Sequence, residues 1–232
     1  SKLVDTMIND GLIDSFNHYH MGVTAENVAE KFEISRDEQD SFALNSQKKA
    51  QDAIGQKKFK DEIIKLQINN NNKNVIFDND EHPRNNLIID DLKKLKTVFK
   101  ENGTVTPGNS SGLNDGAAAL VLMTREKAEL KSLEILASIV SWSSSGVEPS
   151  LMGLGPIPSI KEALIKAQWQ IEDIDLFEIN EAFAAQTLAV IRELKIPEEK
   201  VNVNGGAIAL GHPIGASGSR IVATLIHELK RQ

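Results

Sequence analysis

Short apolar runs alternate with helical patterns along the second half of this chain. Four runs have the composition of strands that are buried on both faces, and they cover residues 116–124, 133–144, 174–180 and 200–204. Helical patterns lie between and after them, such as Ile160, Ala163, Leu164 and Ala167, which share the i, i+3, i+4, i+7 spacing of one helix face. Strands that alternate with helices predict a parallel sheet with helices packed against it, so we expect an α/β fold built in layers.

The first part of the chain has a more polar and mainly helical pattern. Ser35 and Glu38 have the spacing of a capping box, in which each side chain satisfies a free backbone N–H at a helix start. Residues 63–68 suit a strand, and the asparagine tract after them predicts a turn or hairpin tip. Ser159 and Glu162 repeat the capping-box spacing in the second half and predict another helix start there.

The composition excludes several classes of protein. The 232 residues are 41% hydrophobic and carry a formal net charge of -7, so we expect neither a general nucleic-acid binder nor a membrane-surface binder. The chain has no cysteine, which excludes disulfides and thiolate zinc sites, and we expect no metal site. The sequence contains no run of about 18 apolar residues, the length needed to span a membrane. No signal-peptide pattern opens the chain. A cysteine-free chain suits a reducing compartment, so we expect a cytoplasmic protein.

Two strand ends carry the polar residues that could support chemistry. Ligands of parallel sheets gather beyond the carboxyl ends of the strands, where this chain places Asn180 and, after a glycine-rich loop, His212. Pro213 restricts the backbone of His212. A rigid imidazole at a helix entrance is suited to accept a proton or to donate to a developing oxyanion.

Simpler explanations stay open for each of these residues. His212 could be a loop histidine that is held only by structural hydrogen bonds. Asn180 could be a helix N-cap, and Glu181 could be a first-turn carboxylate that interacts with the helix dipole. A dinucleotide-binding loop is disfavoured, because the glycine spacing around His212 is not G-x-G-x-x-G.

Five stretches of the chain match one known family, in order and over nearly the whole length. They read HMGVTAENVAEKFEISRDEQDSFALNSQKKA, GTVTPGNSSGLNDGAAALVL, GLGPIPS, EINEAFAAQ and NVNGGAIALGHPIGASGSRIV. The chain resembles the thiolases, and specifically their acetyl-CoA acetyltransferase branch. NEAFA and GGAIALGHPIGASG are highly specific to that family.

The resemblance implies a partial thiolase-like fold of the layered αβαβα type. Residues 1–112 would form the α-rich loop domain that binds coenzyme A (CoA), and residues 113–232 would form an incomplete C-terminal α/β domain. The resemblance identifies the chain as a fragment that lacks the N-terminal half and the C-terminal end of a thiolase, so we expect apolar sheet surfaces without partners. Family precedent implies a homo-oligomer, either a tetramer or a dimer.

The reaction that the resemblance implies is a thioester Claisen condensation. A cysteine takes an acetyl group from one acetyl-CoA, and the enolate of a second acetyl-CoA attacks it to give acetoacetyl-CoA and CoA. Thiolysis is the reverse reaction. His212 matches the histidine that activates the cysteine, and Asn180 matches the asparagine that fixes a water in the oxyanion hole. The CoA thioesters are substrates, and no cofactor is implied.

The resemblance also implies a set of substrate-binding and CoA-binding residues. By position they are Leu12, His20, Met21, Arg84, Phe99, Gly108, Ser111, Leu113, Met152, Ala182 and Phe183. Arg84 would lie beside the 3′-phosphate or the adenine of CoA. Asp91 stands where a serine is usual, and a carboxylate near a nucleotide phosphate is unfavourable.

The chain departs from the family because it has no cysteine to act as nucleophile or as acid/base. We therefore expect the isolated chain to be inactive. A non-catalytic CoA-binding or assembly module stays open as an alternative, and so does a longer-chain 3-ketoacyl-CoA thiolase. A ketoacyl-synthase relative that uses carrier-protein thioesters is disfavoured, because such enzymes usually place a second histidine at the position of the NEAFA block.

Overall fold

Helices form most of the regular structure, and one short hairpin is the only strand ladder in the described part of the chain. The computed structural model describes residues 3–70 and 73–232. The helices are α1 (Thr6–Gly11), α2 (Met21–Lys31), α3 (Arg36–Gly55), α4 (Ile89–Lys93), α5 (Arg125–Leu130), α6 (Pro156–Ala167), α7 (Ala184–Leu194), α8 (Ala207–Leu210) and α9 (Ser217–Arg231). The hairpin strands and the 3₁₀ turns are β1 (Leu66–Asn70), β2 (Lys73–Phe77), Pro149–Leu154, Ile171–Asp173 and Glu198–Lys200.

The two predicted capping boxes have different outcomes. Ser35 is the N-cap of α3, where its Oγ accepts the backbone N–H of Glu38 and the Glu38 carboxylate accepts the backbone N–H of Ser35. The second prediction is wrong, because α6 begins at Pro156 and Ser159 lies inside the helix. Proline at the first helical position has a helical φ and no N–H to satisfy, so the helix starts before the serine.

The asparagine-rich region forms the predicted hairpin, but its first strand starts later than expected. β1 and β2 pair antiparallel, with Leu66 opposite Phe77. The predicted strand start at Ile63 is wrong, because the backbone N–H of that residue donates to the carbonyl of Phe59 in a turn. The tip at residues 71–72 lies outside the described residues.

The predicted strands of the second half are mostly unpaired in the described part of the chain. Residues 116–124 and 133–148 form no ladder with any other residue that the structure describes. The last two runs meet at a parallel bridge between Phe177 and Val201, and the Asn202 side chain bonds to the backbone N–H and C=O of Ile179. A ladder needs a neighbouring strand to take up its backbone N–H and C=O groups. Within the described ranges, the expected sheet is therefore reduced to isolated bridges.

The unpaired runs expose large apolar side chains. Val121, Leu122, Ile139 and Trp142 are 85%, 71%, 72% and 74% exposed. This exposure agrees with the expectation of apolar strand surfaces that have no partners within the chain.

The described helices include none that is both long enough and apolar enough to cross a membrane.

Helix α7 forms the centre of the main hydrophobic core. Residues 184–191 are all buried, and α7 packs against α2, α3 and the 3₁₀ turn at Pro149–Leu154. Fully burying a Val, Leu or Ile side chain contributes about 1.5–3 kcal/mol. Because Asn180 is four residues before the start of α7, this packing also holds the segment that carries the candidate asparagine.

Candidate active site

His212 and Asn180 lie far apart in the sequence, and their side chains meet in the fold. Asn180 Nδ2 is 3.3 Å from His212 Nε2. Gly211 has a φ of 98°, a region that favours glycine, and Asn114 Oδ1 accepts the backbone N–H of His212 at 3.1 Å. A Cβ on Gly211 would lie 2.6 Å from the same Asn114 oxygen, so a larger residue would disturb this contact. The structure thus brings together the two residues that were predicted to be catalytic.

A serine contacts the other ring nitrogen of His212. Ser217 Oγ lies 2.6 Å from Nδ1 and 3.0 Å from the carbonyl oxygen of Pro213. Burial, and to a lesser extent the positive charge of Arg220, lowers the pKa of His212 below its ordinary value. The imidazole is therefore neutral near pH 7, which is the form that can accept a proton from a thiol.

Asn180 is not the N-cap of a helix in this structure. The N-cap of α7 is Phe183, so the asparagine lies outside the capping position. Its Oδ1 is buried and has no hydrogen-bond partner among the described residues. Buried carboxamide oxygens normally accept a hydrogen bond. This oxygen is therefore available to a donor from water or from a ligand.

Glu181 is likewise not a first-turn carboxylate. It is 1% exposed, and its carboxylate accepts hydrogen bonds from Ser46 Oγ at 2.7 Å, Asn202 Nδ2 at 2.8 Å and the backbone N–H of Ile208 at 3.2 Å. Burial raises the pKa of Glu181, and these donors oppose that shift. Glu181 directly follows the candidate asparagine, and Ile208 lies on the segment that leads to the candidate histidine. The carboxylate therefore ties the two halves of the site together.

An aromatic wall begins three residues after Asn180. His20 stacks on Phe99 with ring centroids 4.7 Å apart, and Phe99 meets the edge of Phe183 at 6.3 Å. His20 also caps α2, because its Nδ1 accepts the backbone N–H of Gly22 at 3.0 Å, which leaves the ring proton on Nε2. A Cβ on Gly22 would collide with the Phe99 ring, so this close approach requires glycine. Three of the predicted binding residues thus form one surface.

Backbone contacts join five further predicted residues in the same region. The backbone N–H of Met21 donates to the carbonyl of Leu12 at 2.8 Å, which fixes the entrance to α2. The backbone N–H of Ser111 donates to the carbonyl of Ala182 at 3.0 Å. Leu113 forms a parallel bridge with the candidate histidine. These contacts place the polar loop before residue 116 against the NEAFA segment.

Gly108, Met152 and Arg84 have no hydrogen bond or ring contact with the aromatic wall among the described residues. Gly108 packs against leucines of α4 and of the segment after it, and Met152 lies in a 3₁₀ turn. The backbone N–H of Arg84 donates to a glutamine of α3. Asp91 forms an ion pair of 3.6 Å with the lysine three residues later. The roles of these residues toward CoA stay predictions.

Two carboxyl groups with raised pKa values, Glu178 and Glu62, belong to the same region as the candidate asparagine, and Glu178 precedes it by two residues. The Glu178 side chain is 3% exposed, and its Oε2 lies 3.8 Å from Nη1 of Arg220. Burial raises the pKa of Glu178 to about 8, although Arg220 opposes the shift. Glu62 accepts a long hydrogen bond of 3.4 Å from Thr224 Oγ1. Burial raises the pKa of Glu62 to about 7.

We expect Glu62→Gln to weaken the pH dependence of stability. The Glu62 pKa is 4.5 without the fold and about 7 within it, so between these values only the folded chain holds the proton. The stability that this group contributes is complete below the lower value and is lost as the pH rises through the higher one. Glutamine cannot ionise. From pH 5 to pH 8 the free energy of unfolding of the variant should therefore fall by about 1–2 kcal/mol less than that of the wild type, an estimate reduced for the partial exposure of the group. Urea unfolding at both pH values measures the difference, and equal losses in the two proteins would contradict the assignment.

The chain matches two thiolase family models in succession. The model of the thiolase N-terminal domain matches residues 1–126, and the model of the thiolase C-terminal domain matches residues 133–232. The chain belongs to the thiolase family. The resemblance carried by NEAFA and GGAIALGHPIGASG is thereby confirmed. The thiolase domain boundary expected between residues 112 and 113 stays a prediction.

Individual thiolases and their solved structures are closely similar to this chain. Acetyl-CoA acetyltransferase of Pseudomonas aeruginosa is 54% identical over 233 residues, which cover 100% of this chain and 59% of that protein. The crystal structure of the Bacillus anthracis acetyl-CoA acetyltransferase has a TM-score of 0.96 at 51% identity, with 100% of this chain and 59% of that chain covered. Human mitochondrial 3-ketoacyl-CoA thiolase in complex with CoA has a TM-score of 0.92 at 44% identity, with 99% and 57% covered. This chain therefore has part of the layered thiolase fold and spans less than two thirds of these relatives.

Reasoning from the sequence missed Ser217 and Asn114, and it gave Glu181 a different role. Ser217 follows His212 by five positions and is the first residue of α9, while His212 lies outside the helix, so no helical spacing pattern links the two. Asn114 and Glu181 make their contacts across 98 and 27 residues of chain. No local pattern signals contacts of that range.

Proposed function

We propose that the protein to which this chain belongs is an acetyl-CoA C-acetyltransferase. It would condense two acetyl-CoA molecules to acetoacetyl-CoA and CoA, and it would catalyse the reverse thiolysis. The observation that carries the proposal is the approach of Asn180 Nδ2 to His212 Nε2 at 3.3 Å, in a chain that is 54% identical to a protein of that name. Because the chain has no cysteine, the nucleophile must come from elsewhere in the complete protein.

In the first half-reaction, the cysteine thiol passes its proton to Nε2 of His212. Burial keeps this imidazole neutral, so its lone pair is available near pH 7. The thiolate then attacks the acetyl carbonyl, a new C–S bond forms, and the C–S bond to CoA breaks. The imidazolium of His212 returns its proton to the departing CoA sulfur, which leaves as the free thiol. The free Oδ1 of Asn180 holds a water that donates to the carbonyl oxygen as negative charge develops there.

In the second half-reaction, a base outside this chain removes a proton from the methyl group of a second acetyl-CoA. Negative charge moves to the thioester oxygen of the enolate, where the water on Asn180 again donates. The enolate carbon attacks the acetyl-cysteine carbonyl, so that a C–C bond forms and the C–S bond to the cysteine breaks. The products are acetoacetyl-CoA and the cysteine thiolate, ready for the next cycle.

The aromatic wall of His20, Phe99 and Phe183 would bind the pantetheine and acyl part of the substrate. Its flat rings offer apolar surface, and Nε2–H of His20 offers a donor. The exposed Arg84 would contact the nucleotide end of CoA. The similar human thiolase structure contains CoA, which supports this assignment. The proposal includes no cofactor beyond the CoA thioester substrates, a homo-oligomer of two or four subunits, and a cytoplasmic location.

The test compares the complete protein with the 232-residue chain. We expect the complete protein to cleave acetoacetyl-CoA with CoA as the co-substrate, and we expect no turnover by the chain alone. The assay measures acetyl-CoA formation by chromatography. If the complete protein binds CoA by calorimetry but gives no turnover, the alternative of a non-catalytic CoA-binding module would replace this proposal.

A longer-chain 3-ketoacyl-CoA thiolase is the second candidate function. The similarity to the human mitochondrial enzyme at 44% identity favours it. A series of 3-ketoacyl-CoA substrates of increasing chain length distinguishes the two functions. We expect kcat/KM to be highest for acetoacetyl-CoA, and a rise of kcat/KM with chain length would assign the protein to the second function.

A further inference from the structure

We propose that Ser217 is a positioning residue that fixes which nitrogen of His212 carries the proton. It does so through a directed series of hydrogen bonds that runs from Asn180 through His212 and Ser217 to the carbonyl of Pro213. The direction of these bonds is a property of the fold, and only its catalytic consequence rests on the proposed function.

The first step concerns the single hydrogen of the Ser217 hydroxyl. Ser217 is nearly fully buried, and its Oγ contacts both the Pro213 carbonyl at 3.0 Å and Nδ1 of His212 at 2.6 Å. A carbonyl oxygen can only accept, so a hydrogen bond between the two oxygens must use the serine hydrogen. The contact with Nδ1 then needs a hydrogen from the imidazole. Ser217 therefore holds the neutral ring with its proton on Nδ1.

The second step follows at the opposite side of the ring. With the proton on Nδ1, Nε2 of His212 keeps its lone pair, and the Nδ2 group of Asn180 at 3.3 Å donates to it. This long contact breaks when the cysteine thiol donates to Nε2 in its place. The Asn180 Oδ1 then points away from the ring, where it is buried without a partner among the described residues. The reverse direction would place a proton on Nε2, and the Asn180 amide would have to turn over to accept it. That turn would remove both the acceptor lone pair of Nε2 and the unpartnered carboxamide oxygen from the site.

The position of the imidazole is held independently of Ser217. Asn114 Oδ1 accepts the backbone N–H of His212 at 3.1 Å, and Leu113 bridges to the same residue. Removal of the serine hydroxyl should therefore change the proton position on the ring more than the location of the ring.

The direct test is neutron diffraction from deuterated crystals of the complete protein near pH 8. We expect deuterium on Nδ1 of His212 and none on Nε2, and we expect the Ser217 hydroxyl to point at the Pro213 carbonyl. Deuterium on Nε2, with the serine hydroxyl directed at Nδ1, would overturn the proposal. This readout needs no variant and no catalytic activity.

Variants of Ser217 test the catalytic consequence. Ser217→Ala should lower kcat by about 10–100-fold and change KM by less than about threefold, because the ring loses its preferred tautomer but the substrate contacts remain. Ser217→Thr keeps a hydroxyl that can bond to the carbonyl one turn back, so it should restore most of kcat. Ser219→Ala removes a hydroxyl from the same helix that is not bonded to His212, and it should leave kcat unchanged.

The two sets of results separate this proposal from the proposed function. Deuterium on Nδ1 in a protein without acetyltransferase activity would support the hydrogen-bond direction and contradict the function. An active protein with deuterium on Nε2 would support the function and contradict the hydrogen-bond direction. If Ser217→Thr is as impaired as Ser217→Ala although both fold, the hydroxyl has no catalytic consequence and that part of the proposal fails.

Discussion

Glu181→Ala is expected to lower the free energy of unfolding by about 3–5 kcal/mol. The carboxylate is 1% exposed and accepts hydrogen bonds from Ser46, Asn202 and Ile208. Alanine would leave these buried donors without acceptors, and each unsatisfied group costs about 1–3 kcal/mol. The removed side chain would also leave a cavity between Ser46, Asn202 and Gly206. Chemical denaturation of the wild type and the variant measures the loss.

Two further variants show whether the carboxylate itself is responsible. Glu181→Gln keeps the volume and one acceptor oxygen. Its free energy of unfolding should therefore lie between those of the wild type and the alanine variant. Glu193→Ala removes a partly exposed carboxylate of α7, the helix that begins three residues after Glu181, and its ion pair with Lys161 is 3.7 Å long. An exposed pair of this kind contributes about 0–1 kcal/mol. A similar loss in Glu181→Ala and Glu193→Ala would contradict the structural assignment.

A double-mutant cycle with Gly206 tests the same contact from the other side. A Cβ on Gly206 would collide with the carboxylate of Glu181. Gly206→Ala should therefore destabilise the wild type strongly, and it should cost clearly less when Glu181 is already alanine. The coupling should exceed about 1 kcal/mol, since contacting residues are not additive. Additive losses would show that the two residues do not meet.

His212→Ala is expected to lower kcat of the complete protein by about 10²–10⁴-fold, the usual contribution of a general base. The variant removes the group that takes the thiol proton, but it leaves the aromatic wall that would bind CoA. KM should therefore change by less than about threefold. Steady-state kinetics of thiolysis measures both parameters.

His227→Ala is the matched control for this prediction. It removes an imidazole from α9 that is fifteen residues away in sequence and makes no side-chain hydrogen bond with Asn180 in the described structure. Its kcat should match that of the wild type. If His212→Ala weakens CoA binding as much as it lowers kcat, the histidine has a structural role and is not the base.

Much of the local structure could be predicted from short-range patterns. The capping box at Ser35 and the hairpin around the asparagine tract depend on contacts between residues a few positions apart, and both are present. The capping box at Ser159 failed for an equally local reason, because Pro156 starts the helix earlier. The apolar runs of the second half predicted strands, but within the described residues they join no ladder and pair only in isolated bridges. Whether such a segment joins a sheet depends on a neighbour that may lie anywhere else in a protein, and its own pattern does not identify that neighbour.

The candidate site divides in the same way. The sequence by itself determined that the chain is a thiolase and that His212 and Asn180 are its candidate catalytic residues, because both lie in motifs that can be read along the chain. Only the tertiary structure decided that their side chains meet, that Glu181 joins their two segments, and that Ser217 and Asn114 hold the imidazole. The reason is physical: a hydrogen bond depends on the distance and direction between two atoms, and for groups up to 98 residues apart the whole fold sets both.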